Sequence, residues 1–173
     1  MYRNLLLNCC ALLLLAFWGP HAMTLFPETA TESKPGAENK TELAEVVFNA
    51  FKLNDFNMLA TYLPGENELN YLKKKSPQDK KDFYASLSTE VIKANVKENF
   101  SLINKKGIEK EVNWSTIELL DTEEKKLEDT NINDYYKVML LLQDMQGKKM
   151  SVEFETIKIK GKWFLLEGLM NGK

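Results

Sequence analysis

Along this chain the apolar spacing changes period once, near Val112. From Glu42 to about Asn104 the apolar residues recur at intervals of three and four, the spacing of one helix face. From Val112 to Leu169 they alternate, the spacing of strands with a covered side. Helices first and sequential strands afterwards predict an α+β domain: N-terminal helices packed on a curved four-stranded antiparallel meander.

The helical half divides at recognisable signals. Leu43, Val46, Val47, Ala50 and Phe51 mark a helix over Glu42 to Leu53. Asn39 or Thr41 can cap it, and Asn39 with Glu42 fits a capping box. Asn54-Asp55 interrupts the pattern, and Asp55 can cap a short helix that turns Phe56, Leu59, Ala60 and Leu63 inward before Pro64-Gly65. A weaker amphipathic turn at Glu68 to Lys75 uses Leu69 and Leu72. Ser76-Pro77-Gln78-Asp79 reads as a helix start, with the helix running from Pro77 to about Asn104 and stopping at Gly107. Its stripe drifts from Phe83, Leu87, Val91 and Ala94 to Ile92, Val96, Phe100 and Ile103. Two helices, or one that changes partner, would both give that drift.

In the strand half, Trp114 to Leu120 reads as the first strand and Asp121 to Asn131 as a charged loop. Tyr135 to Gln143, Met150 to Lys160 and Trp163 to Leu169 follow, joined by turns at Asp144 to Lys148 and Lys160 to Lys162. In the third strand the apolar phase moves from Met150, Val152 and Phe154 to Ile157 and Ile159. That predicts a bulge near Glu155-Thr156, which would bend the sheet. The second strand is apolar on both sides: Tyr136, Val138, Leu140 and Leu142 on one, Tyr135, Met139 and Leu141 on the other. One side packs on the helices, and the other invites a second copy of the same sheet, giving a homodimer.

Before the helices, Arg3, the apolar run Leu5 to Trp18 and the break at Gly19-Pro20-His21-Ala22 have the three parts of an export signal. The run is too short to cross a bilayer as a helix. Residues 1–22 are therefore expected to be a leader that is removed, leaving no stable membrane span and an extracytoplasmic protein, periplasmic or secreted. Cys9 and Cys10 precede most of the run, so they do not mark a lipid anchor. Residues 23–40, rich in Thr and Ser with Pro27, Pro35 and Gly36, read as a flexible linker, and residues 41–171 as one domain. The short leader and the scarcity of cysteine point to a bacterial source.

After residue 22 there is no cysteine, histidine or arginine. A disulfide, histidine acid–base chemistry and a thiolate nucleophile are thereby excluded from the mature chain. Arg3 is the sole arginine among 23 basic residues, against 25 acidic ones. A mildly acidic domain without arginine is not expected to bind nucleic acid. The run Lys73-Lys74-Lys75 fits the end of a helix. The stretch Asp129 to Asp134 imitates the opening of a calcium loop, but Asp134 stands where glycine is needed and Leu140 where glutamate is needed. No metal or cofactor is expected. Asn39, Asn99 and Asn113 head glycosylation triplets, which would matter only in a eukaryotic secretory route.

The order of elements resembles the NTF2-like superfamily of cone-shaped α+β domains, especially its small exported bacterial members. The residues that carry the resemblance are Val46-Val47-Phe48-Asn49-Ala50-Phe51-Lys52-Leu53-Asn54-Asp55-Phe56-Asn57-Met58-Leu59, a helix broken at Asn-Asp. With them go Tyr136-Lys137-Val138 and Gly161-Lys162-Trp163-Phe164-Leu165-Leu166, a late hairpin pair closing on Gly-Lys-Trp. A cystatin-like helix gripped by a sheet is the near alternative, and Glu66 to Lys75 has no place in the NTF2-like plan.

The resemblance implies a pocket between helices and bent sheet. Phe83, Phe100, Trp114, Tyr136 and Trp163 are the candidate lining for a small apolar or amphipathic ligand, although aromatics at such spacing more often form plain core. Some members resemble isomerases or dehydratases that use an Asp or His with a Tyr. Without histidine the acid–base candidates are Asp55, Asp82, Glu118, Tyr84, Tyr135 and Tyr136. Asp55 is accounted for as a cap, and Glu118 alternates with apolar neighbours and faces water. The expected function is a non-catalytic exported domain that binds a small ligand or a protein partner. The alternatives are a structural module dimerising through its sheet and a histidine-free proton-transfer enzyme.

Overall fold

Asn39 opens the helical half as its side chain accepts the Glu42 N–H at 2.8 Å. The computed structural model describes residues 35–127 and 134–172. The expected leader, residues 23–34 of the expected linker and residues 129–133 of the calcium-like stretch lie outside the described residues. Helix α1, Lys40–Leu53, buries Leu43, Ala44, Val47, Ala50 and Phe51. It ends at Asn54, which takes the left-handed conformation open to asparagine. Asp55 then caps a 3-10 helix, Phe56–Tyr62, by accepting from Asn57. Helix α2, Glu66–Lys75, follows with Leu69 and Leu72 buried and three lysines in its last turn.

The long helix expected from Pro77 is two. A 3-10 turn, Gln78–Lys80, leads into α3, Lys81–Ser86, and the chain breaks at Leu87 before α4, Thr89–Glu109. Ser88 supplies the cap that makes the second start, accepting from Val91 at 3.2 Å. Ser76 caps nothing downstream; its hydroxyl donates back to the Leu72 carbonyl and closes α2. Helix α4 continues past Gly107. It closes in a Schellman arrangement: Val112 N–H donates to Gly107 O and Glu111 N–H to Ile108 O, with Glu111 left-handed.

The sheet order is β1-β2-β3-β4, all antiparallel, so the fold is α+β with helices on a four-stranded meander. The strands are β1 (Glu118–Lys126), β2 (Tyr135–Gln143), β3 (Lys149–Ile159) and β4 (Lys162–Asn171). Trp114 belongs not to a strand but to a 3-10 turn, Trp114–Thr116. The first strand instead takes in charged residues, from Asp121 to Lys126, that read as loop. At a sheet edge a strand needs only backbone pairing on one side, and charges there discourage a further strand from adding. Nearly all of β1 is exposed.

Pairing of β2 with β3 runs without a break from Tyr135↔Ile157 to Gln143↔Lys149. Alternation then assigns faces. Val138, Leu140, Leu142, Met150, Val152 and Phe154 share the inner face, all buried, and α1 contacts this side through β2 and β4. Tyr135, Met139, Leu141, Glu153, Glu155 and Ile157 share the outer face. The expected irregularity is present at Glu155-Thr156, but the surplus residues lie on the partner strand. While β3 advances from Glu153 to Thr156, β4 runs from Met170 to Leu165, so the surplus residues belong to β4. The phase change in β3 has a different cause: Ile157 and Ile159 are buried on the outer face at the end where α2 contacts β3. At that end β4 is buried on both sides, with Trp163, Phe164, Leu165 and Leu166 consecutively enclosed.

The packed domain starts before residue 41. Ala37 is fully buried and exchanges two backbone hydrogen bonds with Trp163, each 2.8 Å. Gly36 makes the approach possible: a β-carbon there would fall 2.7 Å from the Phe164 ring.

Candidate functional site

The five aromatics expected to line one pocket occupy three separate places. Phe100 and Trp114 both stack on Phe51, with ring centroids at 4.6 and 5.3 Å. Phe56 meets Phe100 edge-on. Tyr136 and Trp163 form an edge-to-face pair at 5.7 Å on the sheet, with Lys40 Nζ 3.5 Å above the Tyr136 ring. Lys40 also pairs with Glu124. Phe83 is on α3, 41% exposed, against its neighbour Tyr84. The first group is core, the second an aromatic pair on the sheet beneath a lysine of α1, and the third a surface ring.

The acid–base candidates separate in the same way. Asp55 is the cap it was read to be. Asp82 and Glu118 are exposed, and Tyr136 faces inward with Val138. Tyr135, however, meets on the outer face a pair of carboxylates that the sequence did not single out, Glu155 and Glu167, and Tyr84 lies within electrostatic reach of Glu167 and Tyr135.

Each member of this group is positioned by a different element. Glu155 and Glu167 are direct cross-strand partners between β3 and β4, at the irregular stretch of pairing. Gly168, at φ +73°, lets the Glu155 stem close over the strand; a β-carbon would fall 2.8 Å from its Cγ. Tyr135 comes from the start of β2, and its hydroxyl donates to Glu155 Oε2. Tyr84 comes from α3 and is 7% exposed.

Electrostatics follow from this packing. Burial, and then the Glu155 charge, raise the Glu167 pKa. Burial and then Glu167 raise that of Tyr84. Burial raises Tyr135 most, followed by its hydrogen bond to Glu155, the charges of Glu155 and Glu167, and Tyr84. Both phenols therefore stay protonated well above neutral pH, as neutral donors and acceptors beside two acids. The signal that could have found the group is Gly168: a glycine inside an apolar strand marks a bulge or a close approach.

Clefts open elsewhere on the surface. One runs along the outer side of α4 past Ala94, Lys97, Ser101 and Leu102. A second lies between α2 and the start of α4, at Leu69, Lys73, Ser88 and Thr89. A third, of about 180 Å³, lies on the outer sheet face between Glu123, Lys125, Lys137, Met139 and Glu153. None of these is lined by the five aromatics. Among the described residues no group of three or more His, Cys, Asp or Glu side chains could hold a metal ion. No described helix is long and apolar enough to cross a membrane.

No protein-family model matches the chain, and neither a curated protein nor a solved structure matches it.

Proposed function

We propose that this chain is an exported, non-catalytic domain of NTF2-like plan that works by surface recognition, its partner being a second copy seated on the outer sheet face. The observation that carries this reading is the stacking of Phe51 on both Phe100 and Trp114. The aromatics that would wall a hollow cone are spent on one another, which favours recognition outside the domain over a ligand within it. The outer face supplies the surface. Met139 and Leu141 lie half-buried there, bordered by Lys125, Lys137, Glu123 and Glu153. A border with both signs of charge suits an isologous contact, in which a two-fold axis sets each sign against its opposite. Export rests on the pattern of residues 1–22.

Native mass spectrometry of the protein purified from its own host tests the reading. The expected spectrum holds the bare chain and its dimer. A small apolar molecule retained in stoichiometric amount would return the function to a ligand cone.

A further inference from the structure

One row of side chains crosses the outer face through all four strands. Lys125 of β1 stands opposite Lys137 of β2, Lys137 opposite Glu155 of β3, and Glu155 opposite Glu167 of β4. The row therefore reads two positive charges and then two negative ones. Like charges directly opposite each other destabilise a sheet, and this row holds two such pairs, Lys125 with Lys137 and Glu155 with Glu167. Its inner members have partners within the chain: Lys137 pairs with Glu153 at 3.3 Å, and Glu155 accepts from the Tyr135 hydroxyl. Among the described residues its outer members, Lys125 and Glu167, have no ion-pair partner. Lys125 is exposed, and the other three are half-buried and open to contact from outside.

We propose that this row docks on the same row of a second copy, turned about a two-fold axis that runs parallel to the strands between β2 and β3. The inference rests on the outer face being the contact surface and adds how the two copies are arranged. Two kinds of axis between the sheets bring one outer face onto the other. An axis along the row sets every lysine over the same lysine and every glutamate over the same glutamate. An axis along the strands reverses the row, so Lys125 meets the partner's Glu167 and Lys137 meets the partner's Glu155. Each like-charge pair then faces a pair of the opposite sign. Packed sheets lie about 10 Å apart with their strands nearly aligned, a gap that one lysine and one glutamate side chain span together. The same axis passes beside β2, so the half-buried Met139 and Leu141 lie close to their own copies and supply an apolar centre. A second copy carries the reversed row at the matching spacing by symmetry alone. The opposed like charges burden only the lone subunit. Removing the Glu167 charge therefore stabilises the monomer and weakens the dimer.

The test is a charge swap read by light scattering and native mass spectrometry at low ionic strength. The samples are the unaltered protein, Lys125→Glu, Glu167→Lys, an equal mixture of those two with one labelled by nitrogen-15, and the double variant. Each single variant should raise the dimer dissociation constant about tenfold or more, since two attractive contacts become repulsive. The mixture should recover the dimer at the mixed mass, because every substituted charge then meets its opposite. The double variant should recover it as a homodimer. Lys125 is exposed on an edge strand, so Lys125→Glu should unfold as cooperatively as the unaltered protein. Single variants that dimerise as strongly as the unaltered protein, or a mixture that dimerises no better than either alone, would overturn the arrangement. If Leu141→Lys still abolished the dimer in that case, the outer face would stand as the contact without the row. An unaltered protein that is monomeric throughout would overturn both.

Discussion

Trp114 lays its indole on the backbone of Gly107: a β-carbon at residue 107 would stand 2.5 Å from the ring. The same indole donates to the Asn104 carbonyl at 3.3 Å and stacks on Phe51. The last turn of α4 is thereby fastened to α1 through one side chain, and glycine serves contact rather than helix termination.

Two effects oppose each other in Gly107→Ala. Alanine favours a helix over glycine by about 1 kcal/mol, while forcing a methyl into a filled contact costs about 1–3 kcal/mol. Trp114 is held by Phe51 behind it, so the overlap should win and the urea midpoint should fall. In a Trp114→Ala background the same substitution should raise the midpoint. The same sign in both backgrounds would show that the indole is not what glycine accommodates.

Asp144 should contribute to the response to acid. Its carboxylate accepts backbone N–H groups from Asn113, Lys148 and Gln146 at 2.9, 2.8 and 3.0 Å. It thereby joins the β2–β3 turn to the segment before β1. These bonds, Asn113's first, hold its pKa below the ordinary value. A depressed carboxylate contributes stability that is complete above the unfolded pKa of about 3.9 and is lost as the pH falls towards the folded value. Asp144→Asn should therefore lower the melting temperature near neutral pH, and the gap should close in strong acid. Thermal unfolding across that range checks it; a gap independent of pH would mean that charge is irrelevant there.

Glu167 should behave in the opposite sense. Its raised pKa means that the folded protein disfavours the charged form. The stability linked to its proton is full below the unfolded value of about 4.3 and is lost as the pH rises through the folded value. Glu167→Gln should therefore stabilise the protein near neutral pH, by about 0.2–1 kcal/mol on the scale of opposed like charges, and the advantage should vanish in acid. Paired melting curves would show it. Destabilisation at neutral pH would mean that the Glu167 charge has a favourable partner.

Much of the fold was legible because local chemistry and tertiary need agree. Asn39, Asn54 and Asp55 mark the limits of α1 and the next turn, and the glycines of the two hairpins set the bounds of β2, β3 and β4 to within two residues. Where pattern and structure part, a neighbour decides. Asp121 to Lys126 carries no strand pattern, yet pairs as an edge because β2 offers its free side. Ile157 and Ile159 suggest an extra residue in β3, whereas the surplus lies in β4 and α2 packs against β3. Ser88 reads as one residue in a long helix until the chain turns at Leu87. Phe100 and Trp163 are buried, but spacing says which way a ring points, not which ring it meets. Glu155 and Glu167 are twelve positions apart in sequence and look like ordinary solvent-facing residues. Only the surplus residues of β4 bring them opposite each other.

The outer sheet face as the recognition surface is tested most directly by light scattering over a wide range of protein concentrations, with Leu141→Lys alongside. The account predicts a dimer whose share grows with concentration. It also predicts a Leu141→Lys protein that stays monomeric yet folded, with a cooperative thermal transition whose midpoint no longer depends on protein concentration. A monomer at every concentration, or a dimer that the lysine leaves intact, would contradict it.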